Sequence, residues 1–362
     1  MKKISNINPG LQLTVIAIIL ITFSSSCSQQ SDFYSMDDFP IVRKIDAHFH
    51  YNVLDTEVLE YAKSYNFKII TPNTRTIEDN QFQVASTLWK AYPDQLAFFG
   101  TFKAEDWDQP WFVEQTIGRI DEVVEAGARG IKIWKNIGMV IQDSAGRYLM
   151  ADDPVFEFIF DYLEESQIPV LGHFGEPLNC WLPFDEMSVK SNRDYYLKNP
   201  QYHMYQHPEA PSYKAHLEAR DHVLERHPNL IFIGAHMASL EWDVNELATW
   251  FERFPNTTVD MAGRINHLQH QTIADFQKVR DFMIQYQDRL LYATDRSIRP
   301  QHDDVDAIKH SLLDKWESEW VFLATDSVFV SPQVYQSVVT GLHLPRTVID
   351  KIYYSNAAWI FN

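Results

Sequence analysis

The sequence predicts an α/β protein of the (β/α)8 class, a closed TIM barrel with a long loop insertion after its fifth strand. Eight short apolar runs recur, each followed by turn residues and then an amphipathic stretch. Strands alternating with helices in this way imply parallel pairing through right-handed crossovers. Eight such units close a barrel, for which about 250 residues suffice. No G-x-G-x-x-G turn follows an early strand, and this disfavours the runner-up, an open doubly wound sheet.

Three domains are expected in chain order: a lipoprotein signal peptide over 1–26, a polar tether over 27–40, and the barrel over 41–362. The first opens with Lys2 and Lys3, runs through an apolar stretch over 11–23 broken by Gln12 and Thr14, and ends in Ser24, Ser25 and Ser26 before Cys27. A charged start, an apolar middle too short for a membrane span and small residues at the end form a secretory signal. Small residues directly before a cysteine resemble a bacterial lipoprotein signal, which would be removed at Cys27 and leave that residue acylated. A plain signal peptide cut nearby, or an uncleaved anchor, is the alternative. The expected location is therefore extracytoplasmic, on the bacterial cell envelope and at its outer membrane, with the lipid as the only membrane contact.

The expected strands are IVRKIDAHFH (41–50), FKIITPN (67–73), LAFFGTF (96–102), ARGIKIW (128–134), IPVLGHF (168–174), LIFIGAH (230–236), TTVDMA (257–262) and RLLYATD (289–295). Helical spacing of apolar residues appears over 77–92, 111–126, 154–166, 213–227, 240–254 and 273–287. Two excursions hold the surplus length. One, after strand five, carries Trp181, Tyr195, Tyr196, Tyr202 and Tyr205 and is the candidate substrate lid, because long loops on the C-terminal face of a barrel are usually functional. The other covers 296–331 and includes a helix near 305–319.

Charge and cysteine content narrow the function. The chain has 31 Lys and Arg against 49 Asp and Glu, a net charge of −18. Such a field argues against nucleic acid or an anionic membrane surface as a partner. A small-molecule substrate is expected, and a homo-oligomer is left open. Once the signal is removed at Cys27, Cys180 cannot form an internal bridge by itself, so no disulfide framework supports the fold.

Chemistry-bearing residues gather at one location. Residues two apart on a strand share a face, so His48 and His50 at the end of the first strand form a chelating pair facing the barrel interior if Ala47 and Phe49 face the helices. His173 ends strand five, His236 strand six and Asp295 strand eight. Titratable groups at the carboxyl ends of four barrel strands read as catalytic, since packing alone would place aliphatic residues there. Imidazoles with a carboxylate suit one divalent metal ion, Zn²⁺ first and Mn²⁺ or Fe²⁺ as alternatives.

The order H-x-H, His, His, Asp is similar to that of the amidohydrolase superfamily. More narrowly, GARGIKIW, PVLGHFGEP, FIGAHMAS, LLYATD and the closing YYSNAAWIF resemble the amidohydrolase-related branch, which holds lactonases, hydratases and nonoxidative decarboxylases. The resemblance implies that His48, His50, His173 and Asp295 touch the metal while His236 stays near the bound water or reacting carbonyl. Asp295 would then take and return the proton, and His236 would bind an oxyanion or act as acid and base. It points to a hydrolase of a small cyclic ester (lactone) or amide. The alternatives are a metal-dependent decarboxylase or lyase of an acidic substrate, and a non-catalytic tethered binding lipoprotein.

Lys132 lies on strand four, where binuclear relatives carry a carboxylated lysine bridging two metals; the other readings are a substrate carboxylate ligand or an ion-pair partner. Arg264, after strand seven, is a candidate clamp for an acidic substrate, as are Lys103, Arg296 and Arg299. His203 and His207 are expected in a loop and His267 and His270 on a polar connection. His216, His222 and His227 are expected on the solvated face of their helix.

Overall fold

The computed structural model describes residues 31–74, 80–300 and 304–362. The signal segment and Cys27 lie outside the described residues. From Asp32 to Asn362 the chain forms one compact unit. No helix among the described residues is long and apolar enough to cross a membrane.

Eight parallel staves build the barrel: β1 (Lys44–Asp46), β3 (Phe67–Pro72), β4 (Leu96–Phe99), β5 (Ile131–Ile133), β6 (Val170–Gly172), β7 (Phe232–Gly234), β8 (Thr257–Asp260) and β9 (Leu290–Leu291). β1 pairs with β3 and β3 with β4, while β5 through β9 pair in sequence order, all in parallel. A parallel bridge between Gly100 and Ile131 joins the two groups. The ring closes where the Ala47 amide donates to the Tyr292 carbonyl at 2.9 Å. All eight expected runs become staves, because each is a β-compatible apolar stretch bounded by turn residues.

Two apolar layers hold the barrel together. Ile45, Ile70, Ala97, Leu171, Ile233 and Leu291 fill the interior with the C-terminal Ile360. A larger layer packs the outer strand faces against the helices, with Trp316 and Trp320 completely buried on the long helix Val305–Ala324. Phe67 stacks on Trp316 at 4.1 Å between ring centroids. Aspartate side chains cap several helices: Asp243 accepts from Asn245 N, Asp275 from Lys278 N and Asp304 from Ala307 N, satisfying amides that have no partner within the helix.

Several expectations need correction. The polar tether does not extend to residue 40: Phe39 is 1% exposed, Tyr34 donates to Asp350 and Trp320 Nε1 donates to Ser35 O at 3.0 Å, so this stretch is part of the folded body. Its aromatics bury enough apolar surface to fix it in place. Strand one does not run through to His50. It stops at Asp46 and resumes as β2 (Phe49–Tyr51), which pairs with β10 (Arg296–Ile298). Ala47 therefore lines the interior with Ile45 instead of facing the helices, whereas Phe49 joins the outer layer. His267 and His270, expected on a polar connection, lie on the helix Ile265–Ala274. The second excursion leads from its helix into an antiparallel hairpin of β11 (Val328–Ser331) and β12 (Ser337–Thr340).

The insertion after the fifth stave has its own small core of Cys180, Met187, Tyr196 and Met204, packed against Met139. It is built from short helical turns and the helix Lys190–Lys198. A link to the second excursion comes from Tyr335, whose hydroxyl donates to Met187 O at 2.9 Å.

Candidate active site and metal centre

The barrel mouth brings His48, His50 and Asp295 together, with one ligand atom from each lying within 4.8 Å of the others. A second triad of the same tightness joins His48, His236 and Asp260. His173 belongs to neither, yet its ring lies 4.3 Å from that of His236, and the His236 ring lies 4.9 Å from that of His48. Four histidines and two aspartates thus form one continuous polar cluster.

Hydrogen bonds fix which ring nitrogens face the opening. His50 donates its Nδ1–H to Pro72 O at 3.1 Å, and His236 donates its Nδ1–H to Ala262 O at 2.9 Å. His48 Nδ1 lies 2.7 Å from Asp260 Oδ2. Burial favours the protonated form of Asp260, but the His48 charge and hydrogen bond outweigh it and bring the carboxyl below its ordinary range. The ionised acid can only accept, so His48 donates from Nδ1. In the neutral form of each of these rings the proton sits on Nδ1 and Nε2 is the free ligand atom. His173 Nε2 is buried with no hydrogen-bond partner and has Glu176 Oε2 at 3.9 Å.

Burial disfavours the charged form of His48, His173 and His236. Burial lowers the His48 pKa, reinforced by Lys132, and holds His173 and His236 well below the ordinary value, with Lys132 and His173 respectively adding most to the effect. Burial would raise the pKa of Asp295, but its neighbours His50, His48 and Arg264 hold it well below the usual range. Its side chain is 38% exposed, with Oδ1 3.5 Å from His50 Nε2 and 3.9 Å from His48 Nε2. Imidazole nitrogens converging beside an ionised carboxylate suit a divalent transition-metal ion, so the residues fit such a group.

The backbone that carries His236 has an unusual form. His236, Met237, Ala238 and Ser239 all have positive φ, from 53° to 61°. For non-glycine residues each such position costs about 1 kcal/mol or more. Local bonds hold the reversed turn: Asp260 Oδ1 accepts from His236 N at 2.7 Å, Arg220 donates to Ala238 O and Tyr213 donates to Ser239 O. Gly234 is required beneath it, because a Cβ there would sit 2.7 Å from the Ala238 Cβ.

Around the cluster lie cations and one acid. The buried Lys132 amine has no hydrogen-bond partner, and burial lowers its pKa to about 8 although Asp260 and Asp295 counteract. Arg264 is 7% exposed, with Nε unpartnered and Nη2 3.9 Å from Glu176 Oε2. Glu176 also pairs with Lys135, whose ammonium sits over the Tyr202 ring at 4.8 Å and so touches the insertion.

Other candidates sit elsewhere. Lys103 pairs with Asp106 at 3.1 Å, and Arg296 is exposed and donates to Ser311 O. His216 and His227 are each 2% exposed, which corrects their expected solvated positions; His222 is exposed and pairs with Asp152, and His267 is 2% exposed within its helix. Sequence reading missed Asp260, Glu176 and Lys135. Asp260 ends a stave, the same signal that marked the other site residues, but it sits inside an apolar run.

The amidohydrolase family model matches residues 45–362. The chain belongs to the amidohydrolase family. Its fold is similar to that of an uncharacterized TIM-barrel protein from Bordetella bronchiseptica, with a TM-score of 0.53 and 15% identity over 88% of this chain and 98% of that one. It is also similar to 2,6-dihydroxybenzoate decarboxylase complexed with 2,6-dihydroxybenzoate, with a TM-score of 0.50 and 16% identity over 89% and 99% of the two chains. At such identities the likeness establishes the fold. No curated protein matches the chain. In this amidohydrolase the His/Asp cluster is a candidate site for a divalent metal of unspecified identity.

Proposed function

We propose that this amidohydrolase hydrolyses a small cyclic ester or amide, with one divalent metal, Zn²⁺ first, held by His48, His50 and Asp295 and flanked by His173 and His236. The observation that carries the reading is the convergence of the His48 and His50 Nε2 atoms on Asp295, each ring held at Nδ1 by an acceptor. A metal bound there would lower the pKa of water and polarise a substrate carbonyl.

The chain's own groups divide the remaining work. Asp295, ionised and open to solvent, accepts the proton of the attacking water and delivers it to the leaving oxygen or nitrogen. His236, neutral and bare at Nε2, acts first as an acceptor; it can donate to a developing oxyanion only after gaining a proton. The unpartnered donors of Lys132 and Arg264 fit substrate oxygens. Those two buried donors also favour a second reading, nonoxidative decarboxylation of an acidic substrate whose carboxylate they would hold. A second metal bridged by carboxylated Lys132 is the less favoured arrangement.

Metal analysis of the purified mature protein tests the site: the parent should hold about one equivalent of transition metal more than the His48→Ala/His50→Ala double variant. Full retention in the folded variant would refute the assignment. Turnover of lactones and aromatic acids separates the two reactions, since acid release without gas marks hydrolysis and carbon dioxide release marks the lyase.

A further inference from the structure

We propose a second divalent-cation site on the outer helical layer, formed by His227, Glu157 and Asp161, whose ligand atoms lie within 4.8 Å of one another, with Glu164 beside them. The helix Glu157–Glu165 places Glu157, Asp161 and Glu164 four and then three residues apart, so their carboxylates share one face. His227, at the C-cap of the helix Tyr213–Arg226, points into that face. Its Nδ1 lies 3.7 Å from both Asp161 Oδ1 and Glu164 Oε2, and its Nε2 lies 3.6 Å from Glu157 Oε1.

Three features distinguish this cluster from a solvated acidic patch. The first is burial without partners: His227 is 2% exposed and neither ring nitrogen has a hydrogen-bond partner. A neutral imidazole must carry one N–H, and leaving it unsatisfied in the interior is costly. The second is spacing. The separations of 3.6–3.7 Å are too long for hydrogen bonds, but they approach the distance of about 3.3 Å between two ligand atoms bound tetrahedrally to one Zn²⁺.

The third is charge. Three carboxylates carry −3, and Arg226, 3.0 Å from Glu157 Oε2, returns +1. A divalent cation neutralises the remainder. Glu164 Oε1 is already used by the Asn229 amide at 2.6 Å, which leaves Oε2 directed at His227. An ion here joins the helix following the fifth stave's predecessor to the end of the helix that follows the substrate-side insertion, so it braces the outside of the barrel without entering the mouth.

Equilibrium dialysis of the mature protein against Zn²⁺, with thermal unfolding in parallel, tests this site independently of the proposed catalytic centre. Asp161 is 59% exposed, so Asp161→Asn should fold even if His227→Gln does not. The parent should take up one more Zn²⁺ than Asp161→Asn and should be raised in melting temperature by Zn²⁺ more than that variant is. The His48→Ala/His50→Ala variant should keep the outer ion. Equal Zn²⁺ uptake by the parent and Asp161→Asn, both folded, would overturn the proposal. Loss of the outer ion from the His48→Ala/His50→Ala variant, with Asp161→Asn unaffected, would overturn it as well.

Discussion

Replacing Asp260 by Asn should disable the metal centre without touching any residue proposed to bind the ion. Asp260 Oδ1 accepts from His236 N at 2.7 Å and Ala262 N at 3.1 Å, while Oδ2 faces His48 Nδ1 at 2.7 Å. Asn can keep both backbone bonds through its remaining oxygen. Its amide then turns an N–H toward His48 Nδ1, which must give up its own proton to accept it. The proton moves to Nε2, the nitrogen that faces the mouth, and His48 ceases to be a ligand. Loss of an outer partner of a metal-binding histidine typically costs 10–100-fold in affinity, about 1.4–2.8 kcal/mol at 1.4 kcal/mol per decade. Competition with a chromophoric chelator measures this loss, and the nitrogen chemical shifts of His48 report the tautomer. Adding Asp260→Asn to a His48→Asn background should weaken metal binding no further. A folded Asp260→Asn protein with parental affinity, or equal losses in both backgrounds, would refute the tautomer argument.

Glu241 is completely buried, and burial raises its pKa from 4.5 to about 7. Because the folded form holds the proton more tightly, its penalty on stability is absent below pH 4.5, grows as pH rises and is complete above about 7. Glu241→Gln should therefore stabilise the protein by about 3 kcal/mol at pH 8 and by much less at pH 5, as read by urea unfolding at both values; an equal gain at both would contradict this. Lys135→Met strands the Glu176 carboxylate and should cost about 3–5 kcal/mol, with Lys135→Met/Glu176→Gln recovering most of it in the same assay. Should Cys27 carry the lipid, Cys27→Ser moves the protein from the membrane fraction to the soluble one upon cell fractionation.

The barrel is legible from residue types because each stave is a discrete apolar run, and the helices between them show regular spacing. The ends of staves are legible for the same reason: His173, His236 and Asp295 interrupt a pattern that packing would fill with aliphatics. Asp260 escapes notice because Val259 and Met261 flank it within an apolar run. The buried position of His227 is hidden by the charges of its helix, since Glu218, Asp221 and Arg226 make that segment read as solvated. Nor does any glycine announce the reversed turn at 236–239; its handedness comes from Asp260, Arg220 and Tyr213, which arrive from remote parts of the chain. The burial of Phe39 depends on Trp320, far along the sequence, and local composition carries no trace of it.

A backbone wound against its natural hand has no gradual route back to the ordinary one. If heat or denaturant frees Arg220 or Tyr213, the four residues should snap to right-handed geometry together and carry the His236 ring out of alignment. Inactivation would then precede global melting, and the gap between the two temperatures would measure how firmly the helix Tyr213–Arg226 grips the loop.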